Sequence, residues 1–160
     1  MLNVIDLPLN VLCLMGSNGV DKIEITIEEV FGFPEETCFE GGYGFKGILS
    51  VNAGSYNVHT EDFYSSTGVL YGLYLSLIEC YATLTGTAEY TRMYEQDLSF
   101  EIRMTTLGHA IITGAFREYP HLPNTLSFQF ETDQTCIQSA IRGLKNMEEI
   151  FGGYKGKRSK

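Results

Sequence analysis

Ile23, Ile25 and Ile27 alternate with Glu24, Thr26 and Glu28. A period of two puts the isoleucines on one face of a strand and the acids on the other. The alternation recurs at Phe45, Gly47, Leu49 and Val51, and again at Tyr56, Val58 and Thr60 after the turn Asn52-Ala53-Gly54-Ser55. Those two runs predict a hairpin. A short strand is expected over residues 11–15, ahead of Gly16-Ser17-Asn18-Gly19. Further on, Leu98, Phe100, Ile102 and Met104 alternate, Thr106-Leu107-Gly108 turns the chain into residues 109–116, and Leu126, Phe128 and Phe130 alternate once more. Residues 87–93 give the weakest strand signal.

Twice the period changes to that of a helix. Leu70, Leu73, Tyr74, Leu77, Ile78, Tyr81 and Leu84 share one helical face, with Ser65, Ser66 and Thr67 as N-cap candidates and Gly86 as a stop. Ile137, Ala140, Ile141, Leu144 and Phe151 form a second stripe, which Asp133 caps. Groups of strands, each followed by a helix, predict an α+β domain: one curved antiparallel sheet of about seven strands with two amphipathic helices packed on it. No internal repeat or linker is visible in the sequence. Residues 1–152 are therefore assigned to a single domain, and residues 153–160 to a basic tail expected to fray, with Lys155, Lys157, Arg158 and Lys160.

A chain of 160 residues suits one domain and buries roughly 68–70% of its unfolded surface, enough for a core without staples. Ten Tyr and ten Phe mark a folded composition. The net charge of −9 is unevenly placed. Residues 1–80 hold eleven acids against Lys22 and Lys46, a net of −9, while residues 81–160 hold nine acids and nine bases. Such a field favours a basic partner and disfavours nucleic acid, although plain solubility explains the same charges.

Cys13, Cys38, Cys80 and Cys136 are widely spaced and form no CxxC, so neither a disulfide framework nor a zinc site is implied. Buried free thiols are expected at Cys80 and Cys136. The first residues lack the basic start and small-residue cleavage site of a signal peptide, and no apolar run approaches membrane-spanning length. A cytoplasmic protein is expected.

Gly42-Tyr43-Gly44-Phe45-Lys46-Gly47 matches GxGxxG in letters only, because a loop precedes it and a strand follows. A dinucleotide site needs the reverse, with phosphate meeting a helix N-terminus. The glycines instead predict a bulge or a close backbone approach. His59 with Glu61 and Asp62 reads as a solvated hairpin end rather than a metal or acid–base cluster. His109 and His121 share no ligand spacing with it, and no catalytic constellation appears. Glu28, Glu29, Glu35, Glu36 and Glu40 bracket Phe31, Phe33 and Phe39, and Tyr43 follows. Aromatic anchors ringed by acids suit a basic protein partner. A solvated loop with its aromatics turned inward fits the same residues. Glu61 and Asp62 form a second acidic patch.

Three segments between Ser66 and Phe151 are distinctive. The first is Thr67-Gly68-Val69-Leu70-Tyr71-Gly72-Leu73-Tyr74, continuing through Leu84-Thr85-Gly86-Thr87-Ala88 into Asp97-Leu98-Ser99-Phe100. The second is Gly108-His109-Ala110-Ile111-Ile112-Thr113-Gly114. The third, and most specific, is Leu126-Ser127-Phe128-Gln129-Phe130-Glu131-Thr132-Asp133-Gln134-Thr135. With these segments the chain resembles the WapI-type immunity proteins of bacterial contact-dependent toxin systems, although Cys136 stands in place of an expected aromatic. The resemblance covers about half the chain, and the first sixty-five residues match poorly apart from the Gly42-Tyr43-Gly44 strand start.

The resemblance implies a non-enzymatic antitoxin that needs no cofactor. It would bind the toxic C-terminal domain of a large secreted or surface protein one-to-one; the charge adds that this domain is basic, and neither a membrane nor nucleic acid is expected as a partner. A nuclease toxin would fit the charge, because a protein that grips nucleic acid is itself basic. The contact residues expected are Glu28, Glu29, Glu35, Glu36, Glu40, Tyr43, Glu61 and Asp62. The alternative is a small apolar ligand-binding or carrier protein, since a curved sheet closed by helices can hold an aromatic-lined cavity. A hydrolase or isomerase using His59 or His109 is a third reading, with no indicated activity.

Overall fold

The computed structural model describes residues 5–93 and 96–157. Four strands come first: β1 (Leu9–Met15), β2 (Lys22–Val30), β3 (Gly44–Ala53) and β4 (Tyr56–Ser66). Helix α1 (Thr67–Thr83) follows. Four more strands are β5 (Thr87–Tyr90), β6 (Leu98–Met104), β7 (His109–Phe116) and β8 (Leu126–Asp133), and α2 (Gln134–Phe151) closes the order. The α+β class and the two helices are as expected.

The single sheet of about seven strands is not. Eight strands divide into two antiparallel meanders, β1-β2-β3-β4 and β5-β6-β7-β8. The division follows from the strand-to-helix junctions. Strand β4 runs straight into α1, which leads the chain away from its own sheet, so β5 starts a new one against β6. Helix α1 then packs against β5, α2 packs against β1, and the helices touch each other. Each helix thus lies against the first strand of the other sheet. The apolar faces of both sheets join one buried cluster with Leu70, Leu73, Leu77, Leu144 and Phe151 from the helices. Each fully buried Leu or Phe there contributes about 1.5–3 kcal/mol.

The chain is therefore a four-strand-plus-helix unit used twice. Ser66 caps α1 by accepting from Val69 N at 3.1 Å, and Asp133 caps α2 by accepting from Cys136 N at 3.0 Å. Gly44 pairs with the first cap residue and His109 with the second. Four buried positions of each helix correspond at one spacing: Leu70 with Ile137, Leu73 with Ala140, Leu77 with Leu144, Cys80 with Met147. Shared positions without shared residues hide this repeat from a pass along the sequence.

Strand β4 extends past Thr60 to Ser66, beyond the alternation that reveals its start. Between Gly47↔Phe63 and Leu49↔Thr60 its register with β3 shifts at Glu61 and Asp62, a bulge that breaks the period. Residues 153–157, expected to fray, are instead pinned. Gly42 N donates to Tyr154 O (2.7 Å), Lys157 N donates to the Tyr43 hydroxyl (2.7 Å), and the Tyr154 ring meets Tyr71 edge-on with centroids 4.9 Å apart. Residues 158–160, with Arg158 and Lys160, lie outside the described residues.

Candidate functional site

The acids singled out by the sequence converge on one end of the first sheet. Glu28 and Glu29 are exposed at the end of β2, where the register shifts after Ile27. That shift puts Glu29 opposite Lys46, and Lys46 in turn lies opposite Tyr64. Lys46 Nζ reaches Asp62 at 3.7 Å, and Glu61 is exposed beside it. The two acidic patches thus lie on strands β2 and β4, which flank β3, with Lys46 of β3 between them. In the β2–β3 connection, Glu35 and Glu36 are exposed on a turn closed by Glu36 N donating to Gly32 O (2.8 Å). Glu28, Glu29, Glu35, Glu36 and Glu61 form no ion pair among the described residues.

The aromatics of this connection divide between the two arrangements open to them. Phe31 (44% exposed) and Phe39 (79%) stand in solvent. Phe33 turns inward and meets Tyr43 and Phe151 edge-on, with ring centroids 5.0 and 5.5 Å away. Tyr43 is fully buried, so its place among the contact residues is corrected: it is part of the core. Its hydroxyl donates to Pro34 O (2.8 Å) and accepts from Lys157 N. Its backbone N donates to Thr67 Oγ1, and its carbonyl accepts from Thr67 N, both at 2.9 Å. Gly42 makes this approach possible. It has φ 60°, and a Cβ there would collide with Thr67 Oγ1 and Gly68 N. Gly47 likewise lies against Thr26 O. The close backbone approach expected of these glycines is present at both ends of the GxGxxG letters.

Glu40 is also withdrawn from solvent. Arg92 Nη2 and Nε donate to its carboxylate at 2.7 and 3.3 Å, and Arg92 Nη1 donates to Tyr64 O at 2.7 Å. The two side chains are 10% and 11% exposed. Burial alone would lower the guanidinium pKa. The hydrogen bond to Glu40 and nearby negative charge outweigh it and raise the pKa instead. This pair ties the β2–β3 connection to the chain after β5, across the two units. Nothing in the sequence points from Glu40 to a partner so distant. Phe39, Tyr64 and Met93, all exposed, come from segments that this pair joins.

His59 Nδ1 lies 3.1 Å from Ser50 Oγ, while Asp62 faces Lys46, so the His59 cluster does not converge. All four cysteines are free; Cys80 is buried and Cys136 only half-buried at the first turn of α2. Burial, foremost, pushes the Cys13, Cys80 and Cys136 thiols upward, away from thiolate chemistry. Two clefts are open grooves. One, of about 450 Å³, runs between α1 and β5 with Glu40, Gly68, Gly72 and Tyr154 in its walls. The other, about 640 Å³, lies over the outer face of the second sheet. Among the described residues, no helix is long and apolar enough to cross a membrane.

Residues 13–152 match the model of the immunity protein WapI-like family. No curated protein and no solved structure matches the chain. The match extends well ahead of Ser66, so most of the first four-strand unit, from Cys13 on, is included along with the second. With that span, the chain belongs to the immunity protein WapI-like family.

Proposed function

We propose that this protein is an immunity protein that binds and neutralises the toxic C-terminal domain of a bacterial polymorphic toxin. Family membership over residues 13–152 is the observation that carries the reading. The proposed contact surface is the exposed acidic end of the first sheet: Glu28, Glu29, Glu35 and Glu36 around Phe31 and Phe39, with Glu61 and Asp62 beside them. Acids there steer a basic domain inward, and the two rings supply area that excludes water once docked. A nuclease is the toxin class this charge suits, because a nucleic-acid groove is basic and carboxylates can occupy it in place of phosphate. The complex is one-to-one and cytoplasmic, inhibition is stoichiometric, and neither catalysis nor a cofactor takes part. The alternative of an apolar-ligand carrier draws less support, because these two grooves are open to solvent and include Glu40, Glu89 and Glu101 in their walls.

The test is co-purification with the C-terminal domain encoded by the adjacent large reading frame, together with growth rescue. A tight, equimolar, salt-sensitive complex is expected. Changing Glu28, Glu29 and Glu35 together to Lys should slow association roughly tenfold or more at low salt. An unchanged rate and salt dependence would remove the acidic end from the interface. No complex and no rescue would remove the immunity reading itself.

A further inference from the structure

None of the residues in the acidic β2–β3 connection lines the 640 Å³ cleft over the outer face of the second sheet. Across its four strands one register row reads Glu89, Glu101, Thr113, Gln129. Glu89 and Glu101 are direct cross-strand partners. Two carboxylates so placed repel, and like charges directly opposite each other weaken a sheet. Neither has an ion pair among the described residues, and Arg103, two positions along β6, forms none with them. Thr113 Oγ1 is 3.4 Å from Gln129 Oε1, so these two polar groups satisfy each other and leave the acids alone.

The next row, Ser99, Ala115 and Ser127, carries only small side chains. Among the described residues, that row places no bulky side chain beside the carboxylates. Glu89 also lines the groove between α1 and β5, so the acid pair sits where two clefts meet. The acid pair thus sits on an open face with no ion-pair partner among the described residues.

Charge decides what fits. Nucleic acid would be repelled, and a second copy docked through the same face would set one acid pair against another. A guanidinium, by contrast, presents a planar fork of N–H donors able to bridge two carboxylates. We infer that the outer face of the second sheet is a docking surface for the toxin domain, and that Glu89 and Glu101 together receive an arginine or lysine side chain of that domain. The inference rests on the immunity reading. It adds a contact surface in the half of the chain whose net charge is zero, where total charge gives no hint of one.

The experiment compares wild type with Glu89→Gln/Glu101→Gln and, separately, Thr113→Trp. Each is measured for melting temperature alone and for affinity with the C-terminal domain encoded by the adjacent large reading frame. Neutral glutamines relieve the repulsion, so the free double variant should melt at or above the wild-type temperature. It should nonetheless bind roughly tenfold or more weakly, with a shallower salt dependence. The exposed Thr113→Trp ring should fill the cleft and weaken binding without lowering the melting temperature. If wild type binds and both variants bind as it does, the docking surface is wrong while the immunity reading stands. If wild type neither binds nor rescues growth, both fall.

Discussion

Glu40→Ala removes half of the contact that ties the β2–β3 connection to the second unit. In the wild type, the Arg92 guanidinium gives Glu40 two bonds, at 2.7 and 3.3 Å, and Tyr64 O a third, with the pair's side chains 10% and 11% exposed. Breaking a buried ion pair from one side typically costs about 3–5 kcal/mol, because a charge is left uncompensated. Two features here reduce that figure. Arg92 keeps its bond to the Tyr64 carbonyl, and Glu40 lines an open groove through which water can reach the freed guanidinium. A cost of about 2–3 kcal/mol is expected. In a chain of this size that lowers the melting temperature by roughly 4–12 °C. The assay is urea unfolding followed by circular dichroism on Glu40→Ala, Arg92→Met and the double variant. Methionine keeps much of the Arg92 stem packing. The cycle separates the pair from the other contacts of Arg92 and should return a coupling of about 2 kcal/mol. A cost for Glu40→Ala under about 0.5 kcal/mol, or no coupling, would mean that the pair behaves as a solvated surface contact. Burial would then not set the strength of the Glu40–Arg92 pair.

Three further perturbations bear on the helix junctions and the tail. The Cys136 N–H, above all, holds the Asp133 carboxyl below its usual range. A folded-state pKa below the unfolded one gives stability that is present above the ordinary carboxylate pKa and lost as pH falls through the depressed value. The melting-temperature gap between wild type and Asp133→Asn should therefore be largest at neutral pH and close below about pH 4; a gap independent of pH would contradict the capping account. Gly42→Ala should cost clearly more than Gly19→Ala in unfolding experiments. Both have positive φ, but a Cβ at Gly19 meets nothing within 4 Å, whereas at Gly42 it strikes Thr67 and Gly68. Positive φ alone accounts for about 1–2 kcal/mol, and equal costs would refute the close-approach reading. Tyr43→Phe loses the bonds to Pro34 O and Lys157 N, at about 1–3 kcal/mol. It should also speed tryptic cleavage after Lys155 and Lys157, and an unchanged cleavage rate would show that the hydroxyl does not hold the tail.

Much of the element order is legible because burial imposes a period. Ile23, Ile25 and Ile27 face inward together, as the alternation requires, and Asp133 caps α2 as its place before the apolar stripe requires. Strand β4 is legible only to Thr60, because the bulge at Glu61 and Asp62 shifts the pattern by which a strand is recognised. The acids of the candidate site are visible as a run. Their neighbours are not: Phe31 and Phe39 face solvent while Phe33 and Tyr43 face the core, yet all four are aromatics in one loop. The Glu89–Glu101 opposition depends on strand register, which no local pattern states.

The sequence by itself determined which side of most strands and of both helices is buried, where the helices begin, and that negative charge gathers in the first half. Those properties are local, set by side-chain period and capping chemistry within a few residues. Only the tertiary structure decided that eight strands form two sheets, that each helix packs on the other unit's first strand, and that Arg92 reaches Glu40. Such pairings depend on which edges and loops meet after the chain folds back on itself. Many pairings share one hydrophobic pattern, and the choice among them is made by packing the whole core at once.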